Sequence, residues 1–172
     1  MGIVFKKSRV GLFLIAAGVI ALDQYTKALV RAHLPLNVSW NPIAWLDPIV
    51  TFTHVQNTGA AFGLLPQFGG MFILIALVVV LLIILFYKQL AQGSFLLQVA
   101  FGLQLGGALG NLCDRLARGY VTDFIDFRWW PVFNVADSGI VVGTILLVYY
   151  VLFIEGAKER TNAPQNDVAP RA

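Results

Sequence analysis

Aspartate is the catalytically capable side chain that this chain holds in surplus. Seven of its nine acidic residues are Asp. Several stand close to other polar residues: Asp23 before Lys27, Asn111 before Asp114 and Arg115, Asp123 before Asp126, and Asn134 before Asp137. The two histidines, His33 and His54, stand with no Ser or Cys and orienting acid that would make a nucleophile. No H-E-x-x-H offers a zinc site, and no glycine-rich loop precedes a helix to cradle phosphate. A single cysteine, Cys113, forbids an internal disulfide and a multi-cysteine metal site. Paired carboxylates remain. Two of them brought within a few ångströms cannot both ionise comfortably, so one keeps a proton. The ionised member takes a proton from water as that water attacks a carbonyl. Its protonated partner donates to the carbonyl oxygen and then helps the amine leave. Such a pair hydrolyses a peptide bond with no metal and no cofactor.

The elements that must gather these residues are helices in a membrane. Of 172 residues, 58% are hydrophobic and 12% charged, with a mean hydropathy of +0.76. A soluble domain carries about 25% charged residues, so half the usual supply for a wetted surface is missing. That excludes a water-soluble enzyme, and equally a disordered chain. A net charge of +3 with no basic stripe gives no nucleic-acid partner. Stretches of about 20 apolar residues cross the hydrocarbon as helices, and four are present, at 10–30, 70–87, 94–113 and 138–154. The first has Lys6, Lys7 and Arg9 before it, as a cleaved signal peptide would. However, Asp23 to Lys27 stand where a small-residue cleavage site belongs, so the span is read as retained.

The expected fold is therefore membrane all-α. It is a four-transmembrane-helix bundle with a small extracytoplasmic β-rich segment between helices 1 and 2. Residues 1–160 form one domain, and the proline-bearing polar tail 161–172 is expected to be disordered and cytoplasmic. Prolines at 35, 42, 48 and 66 break helix between the first two spans, while 49–55 has the β-branched and aromatic content of a strand. Lys and Arg divide seven to five in favour of the side holding both termini, which is placed in the cytoplasm.

Threaded this way, six of the nine acids reach the outer side: Asp23, Asp47, Asp114, Asp123, Asp126 and Asp137. Ionisable groups at a membrane boundary are costly unless paired or wet, which makes them functional candidates. Each also has an ordinary reading. Asn134 and Asp137 read as an N-cap and N3 acid, and Asp23 as an i,i+4 partner of Lys27. Arg115 reads as compensation for Asp114, and Asp126 as a solvated acid in the connection between spans three and four. Cys113 reads as a small buried hydrophobe, His54 as an exposed strand residue, and Trp129, Trp130 and Phe133 as an interfacial belt. By position alone, Asp114 competes with Asp123 as the partner of Asp137.

Five blocks, LDQYTK at 22–27, NTGAAF at 57–62, GGALGNLCDR at 106–115, VTDF at 121–124 and FNVADS at 133–138, resemble lipoprotein signal peptidase, the bacterial signal peptidase II family. The resemblance covers nearly the whole chain, in the same order and with four spans. It implies an aspartic peptidase of the bacterial inner membrane that removes the signal peptide of prolipoproteins whose cysteine carries diacylglycerol. The family's catalytic pair carries over to Asp123 and Asp137. Asn111, Asp114, Arg115 and Asn134 match its supporting polar residues, and Asp23 and Asn57 match positions that hold the site or contact substrate. Thr122 departs from the usual valine, and Asp126 is a nearby acid that competes for the role of dyad member.

A substrate of that kind suits the physics of the boundary. An apolar signal helix cannot leave the bilayer cheaply, so its scissile bond is expected to meet the aspartates at the interface. Diacylglyceryl chains staying in membrane lipid contribute about 0.8 kcal/mol per buried methylene. The outer segment 37–66 is expected to form a sheet-like rest for substrate around Asn57. Glycines on span three either let helices approach closely or leave room for an acyl chain. A monomer is expected. Other functions compatible with intramembrane acids are a proton-coupled transporter or channel, or an assembly factor whose polar cluster locks helices together.

Overall fold

The computed structural model describes residues 10–59, 69–90 and 94–155. The expected disordered tail lies outside these residues, as do six of the seven basic residues assigned to the side of the termini; of Lys88 only the backbone is described.

Four helices are long and apolar enough to cross a membrane. α1 covers Gly11–His33 and α2 Gly69–Leu90, a run with a single charged residue, Lys88. α3, Phe95–Arg118, starts under the Ser94 hydroxyl, which accepts the Leu97 N–H, and ends at Gly119 in the left-handed region (φ 80°) that glycine adopts without a Cβ penalty. α4, Val135–Tyr149, continues as a π-helical turn to Glu155. At the ends of α1 and α3, Arg31 and Arg118 reach the buried Asp114, and helix continues to His33 and to Arg118.

α3 is the central helix. Two-thirds of its apolar window is buried, against 17% or less in the other three. Its glycines decide between the two expected roles in favour of close approach. A Cβ on Gly106 would lie 2.6 Å from Val19 Cβ, and one on Gly107 would strike the Ala136 carbonyl oxygen. Leu12, Ala16, Ile83, Phe101 and Leu105 form the apolar core at these crossings. Leu14, Leu74, Leu85 and Ile145 are exposed, as lipid-facing side chains would be.

A three-stranded antiparallel sheet in the order β1-β2-β3 sits at the end of the bundle where α1 and α3 finish. β1 is Ser39–Trp40, β2 is Thr51–Asn57 and β3 is Val121–Asp126. β1 and β2 lie in the segment between α1 and α2, where the β-rich part is expected, and a third strand joins them from the connection after α3. Two aspartates in six residues weaken any strand signal there. Pairing with β2, which sets Val55 opposite Asp123 and Asn57 opposite Val121, supplies what local propensity lacks.

Three further expectations are corrected. Cys113 is exposed, because Asn111 and Asp114 take the inward face of α3 and a 100° step per residue turns Cys113 outward. His54 is buried, covered by the turn after α1: its Nδ1 meets the Leu34 carbonyl at 2.8 Å, and its backbone N–H and C=O pair with Val38 and Asn37. Asp126 is no free loop acid. It closes β3, half-buried, accepting the Thr53 hydroxyl at 2.7 Å and the Arg128 N–H at 2.8 Å.

Candidate active site

Asp123 stands in the middle of β3, and Asp137 in the first turn of α4. Each carboxyl has both oxygens engaged by N–H donors. Asn134 Nδ2 donates to Asp123 Oδ1 at 2.6 Å and Asn57 Nδ2 to Asp123 Oδ2 at 2.9 Å. Asn111 Nδ2 donates to Asp137 Oδ1 at 2.7 Å, and the Asn134 backbone N–H to Asp137 Oδ2 at 3.2 Å. Each amide is held on its other side as well: the Asn57 carbonyl oxygen accepts the Gly59 N–H, and that of Asn134 accepts the Asp137 N–H. The ordinary reading of Asn134 and Asp137 holds too, since they form a reciprocal capping box. One motif both starts the helix and aims a carboxyl.

Both aspartates line a cavity of about 660 Å³ together with Asn57, Asn111 and Arg115. Its apolar walls are Phe127, Trp129, Trp130 and Phe133 from the β3–α4 connection, and Val141 and Val142 from α4. Val141 is 57% exposed and Trp129 75%, so the cavity reaches the outer flank of α4. Asp123 itself is 2% exposed. Burial, and after it the charge of Asp137, push its carboxyl up from an ordinary 3.8 to about 7, against the opposing pull of the Asn57 and Asn134 hydrogen bonds and of Lys27.

Behind the pair lies an ionic cluster built on the fully buried Asp23, Lys27 and Asp114. Lys27 Nζ is 2.8 Å from Asp23 and 3.4 Å from Asp114, and donates to Asn111 Oδ1 at 3.0 Å. Asp114 also meets Arg118 at 3.1 Å and Arg31 at 3.6 Å, and accepts the Thr122 N–H at 3.0 Å. Charge on an otherwise costly buried carboxylate is thereby paired and hydrogen-bonded. The Asp114 contact fixes the start of β3 one residue before Asp123. Asp23 accepts the free Ala136 N–H at 2.9 Å and the Gln24 amide at 3.0 Å, tying α1 to the start of α4.

The expected site residues thus divide. Asp123, Asp137, Asn57, Asn111, Asn134 and Arg115 meet at the cavity or line it, while Asp23 and Asp114 stand behind it. Arg115 feels the charge of Asp114 but more strongly that of Asp137 and Asp123, and among the described residues it forms no direct ion pair with Asp114. One position further round α3, it donates to the Gly59 carbonyl at 3.4 Å and lies over the Phe72 ring. Asp126 is not among the cavity residues. Residues absent from the expected site are Lys27, Gln24, Arg31 and Thr122. The four-residue spacing of Asp23, Lys27 and Arg31 on one helix face is the signal for two of them. Thr122 is fully buried, and its hydroxyl accepts from Arg31 at 3.0 Å, a bond that valine would not make. Among the described residues, no group of three His, Cys, Asp or Glu is placed to hold a metal ion.

The family model for signal peptidase II matches residues 15–153. A lipoprotein signal peptidase of Halothermothrix orenii is 43% identical over 139 residues, covering 81% of this chain and 93% of that protein. One of Syntrophomonas wolfei is 45% identical over 84% of this chain and 94% of the relative. One of Shewanella baltica is 37% identical over 95% and 97%. A solved bacterial membrane enzyme superposes with a TM-score of 0.77 at 32% identity, over 91% of this chain and 93% of that one. The four-helix arrangement, the small sheet and the aspartates between them sit in a chain that belongs to the signal peptidase II family.

Proposed function

We propose that the protein is an aspartic endopeptidase that cleaves the signal peptide from diacylglyceryl-modified prolipoproteins just before the lipidated cysteine. Asp123 and Asp137 are its catalytic pair. The observation that carries this reading is the pairing at the cavity: two carboxyls from different elements, every oxygen held by an N–H donor, open onto one space. With the proton on Asp123, Asp137 takes a proton from water as the oxygen attacks the scissile carbonyl. Asp123 donates to the carbonyl oxygen as the tetrahedral intermediate forms. Collapse of that intermediate returns the proton from the oxygen and delivers one to the departing amine.

The apolar walls and the outward reach of the cavity along α4 suit a substrate that arrives through the bilayer. The apolar lining of Phe127, Trp129 and Trp130 suits an acyl-bearing residue. The enzyme resides in the bacterial inner membrane as a monomer, with both termini cytoplasmic and the pair near the extracytoplasmic face, as the seven-to-five bias of basic residues supports. The test is cleavage of a synthetic diacylglyceryl-cysteine precursor peptide by purified protein in micelles, with chelator present. Asp123→Asn and Asp137→Asn are each expected to lose roughly 10³-fold or more in kcat. Loss of activity on chelation, or cleavage at native rate by either variant, removes the reading.

A further inference from the structure

Lys27 has no exposed surface and does not line the cavity, yet its ammonium is one hydrogen bond from the group that holds Asp137. An ammonium carries only donors, so it can pair only with the oxygen side of a facing amide. Asn111 turns Oδ1 to Lys27 at 3.0 Å and Nδ2 to Asp137 at 2.7 Å. The same Oδ1 accepts Asn134 Nδ2 at 3.1 Å, and that nitrogen also donates to Asp123 at 2.6 Å. A flipped Asn111 would set its NH2 against an ammonium and a second NH2, and its oxygen against a carboxylate. Two donors therefore converge on one oxygen, and both lead onward to a carboxyl of the pair.

From this juxtaposition, and resting on the catalytic reading of Asp123 and Asp137, we infer that Lys27 is a positioning residue that fixes Asn111, and through it the donors to both aspartates. Asp23 keeps the ammonium in place at 2.8 Å while itself tethering the start of α4 through Ala136. Lys27 thus acts on rate more than on substrate binding.

Two variants test this: Lys27→Gln, which stays polar but can present either a donor or an acceptor, and Lys27→Met/Asp23→Asn, which removes one charge of each sign. In micelles, with the diacylglyceryl-cysteine peptide as substrate, the expected result is a folded protein whose kcat falls about 10- to 100-fold, the range for losing a partner one bond from the reacting groups. KM stays within about threefold, and in an Asn111→Ala background the same change costs less than about threefold more, because the two residues act as one unit. A folded variant with kcat retained, a loss confined to KM, or full multiplication with Asn111→Ala overturns the inference. Failure of both variants to fold also overturns it, leaving Lys27 a stabilising residue only. Native protein and Asp123→Asn run in the same assay. Native protein that does not cleave, or Asp123→Asn that does, refutes the catalytic reading instead.

Discussion

Asn134 bridges to Asp123: its Nδ2 donates to Asp123 Oδ1 at 2.6 Å while its Oδ1 accepts the backbone N–H of Asp137 at 2.9 Å. The residue that begins α4 is therefore also the residue that holds the strand aspartate. Because Asp137 returns the bond to the Asn134 N–H, the relative placement of strand and helix is fixed by three short contacts rather than by loop length.

The two duties of Asn134 separate by mutation. Asn134→Ala loses the cap and the amide, costing about 1 kcal/mol of stability and most of the activity. Asn134→Ser keeps a good cap but reaches no donor to Asp123. Thermal unfolding of the serine variant is expected near that of the native protein, with kcat still reduced at least about tenfold. Recovery of activity along with stability would show that the cap alone matters.

Asp123 sets a pH dependence of defined sign. Its carboxyl lies near 7 when folded and at an ordinary 3.8 otherwise, so the folded state holds that proton more tightly. Its contribution to stability is complete below the lower value and is lost as pH rises through about 7. Asp123→Asn cannot ionise and escapes this loss. The Tm of the variant relative to the native protein is expected to increase from pH 4 to pH 8; a constant difference contradicts the assignment. The kcat/KM profile of the native protein is expected to fall above an apparent value near 7, as the pair loses its shared proton.

Asp114 is expected to act through stability. Asp114→Asn leaves Lys27 with Asp23 as its carboxylate and Asn111 as its amide partner, and deprives Arg31 and Arg118 of their buried carboxylate. Breaking one side of a buried cluster costs about 3 kcal/mol. Unfolding in micelles should show the loss, and hydrogen exchange should quicken at the Thr122 amide that Asp114 holds.

Gly107→Ala tests the crossing of α3 and α4. The added methyl meets the Ala136 backbone oxygen and lies 2.7 Å from Ile140, so the start of α4 must move and carry Asp137 with it. A cost of about 1–3 kcal/mol is expected, together with lower kcat. Gly18→Ala is the control, since nothing lies within 4 Å of its new methyl. Equal behaviour of the two variants would mean that the close approach at Gly107 has no bearing on the site.

By itself the sequence determines the membrane, the four helices and the residue types of the site. Charge shortage and runs of about 20 apolar residues are properties of composition that bilayer thickness turns directly into spans. Motifs such as Asn134 to Asp137 are local, so their capping box is legible from spacing. What tertiary structure decides is the surroundings in which each acid stands. By position alone Asp114 competes with Asp123, and Asp126 stands nearby, yet Asp114 is enclosed by three cations, Asp126 closes a strand, and Asp123 lines the cavity. That division depends on β3 pairing with β2 across more than sixty residues, on the turn that carries Arg115 away from Asp114, and on Lys27 reaching Asn111 from another helix. Such long-range contacts leave no periodicity in the chain, because each is set by the packing of whole elements and not by the residues beside it.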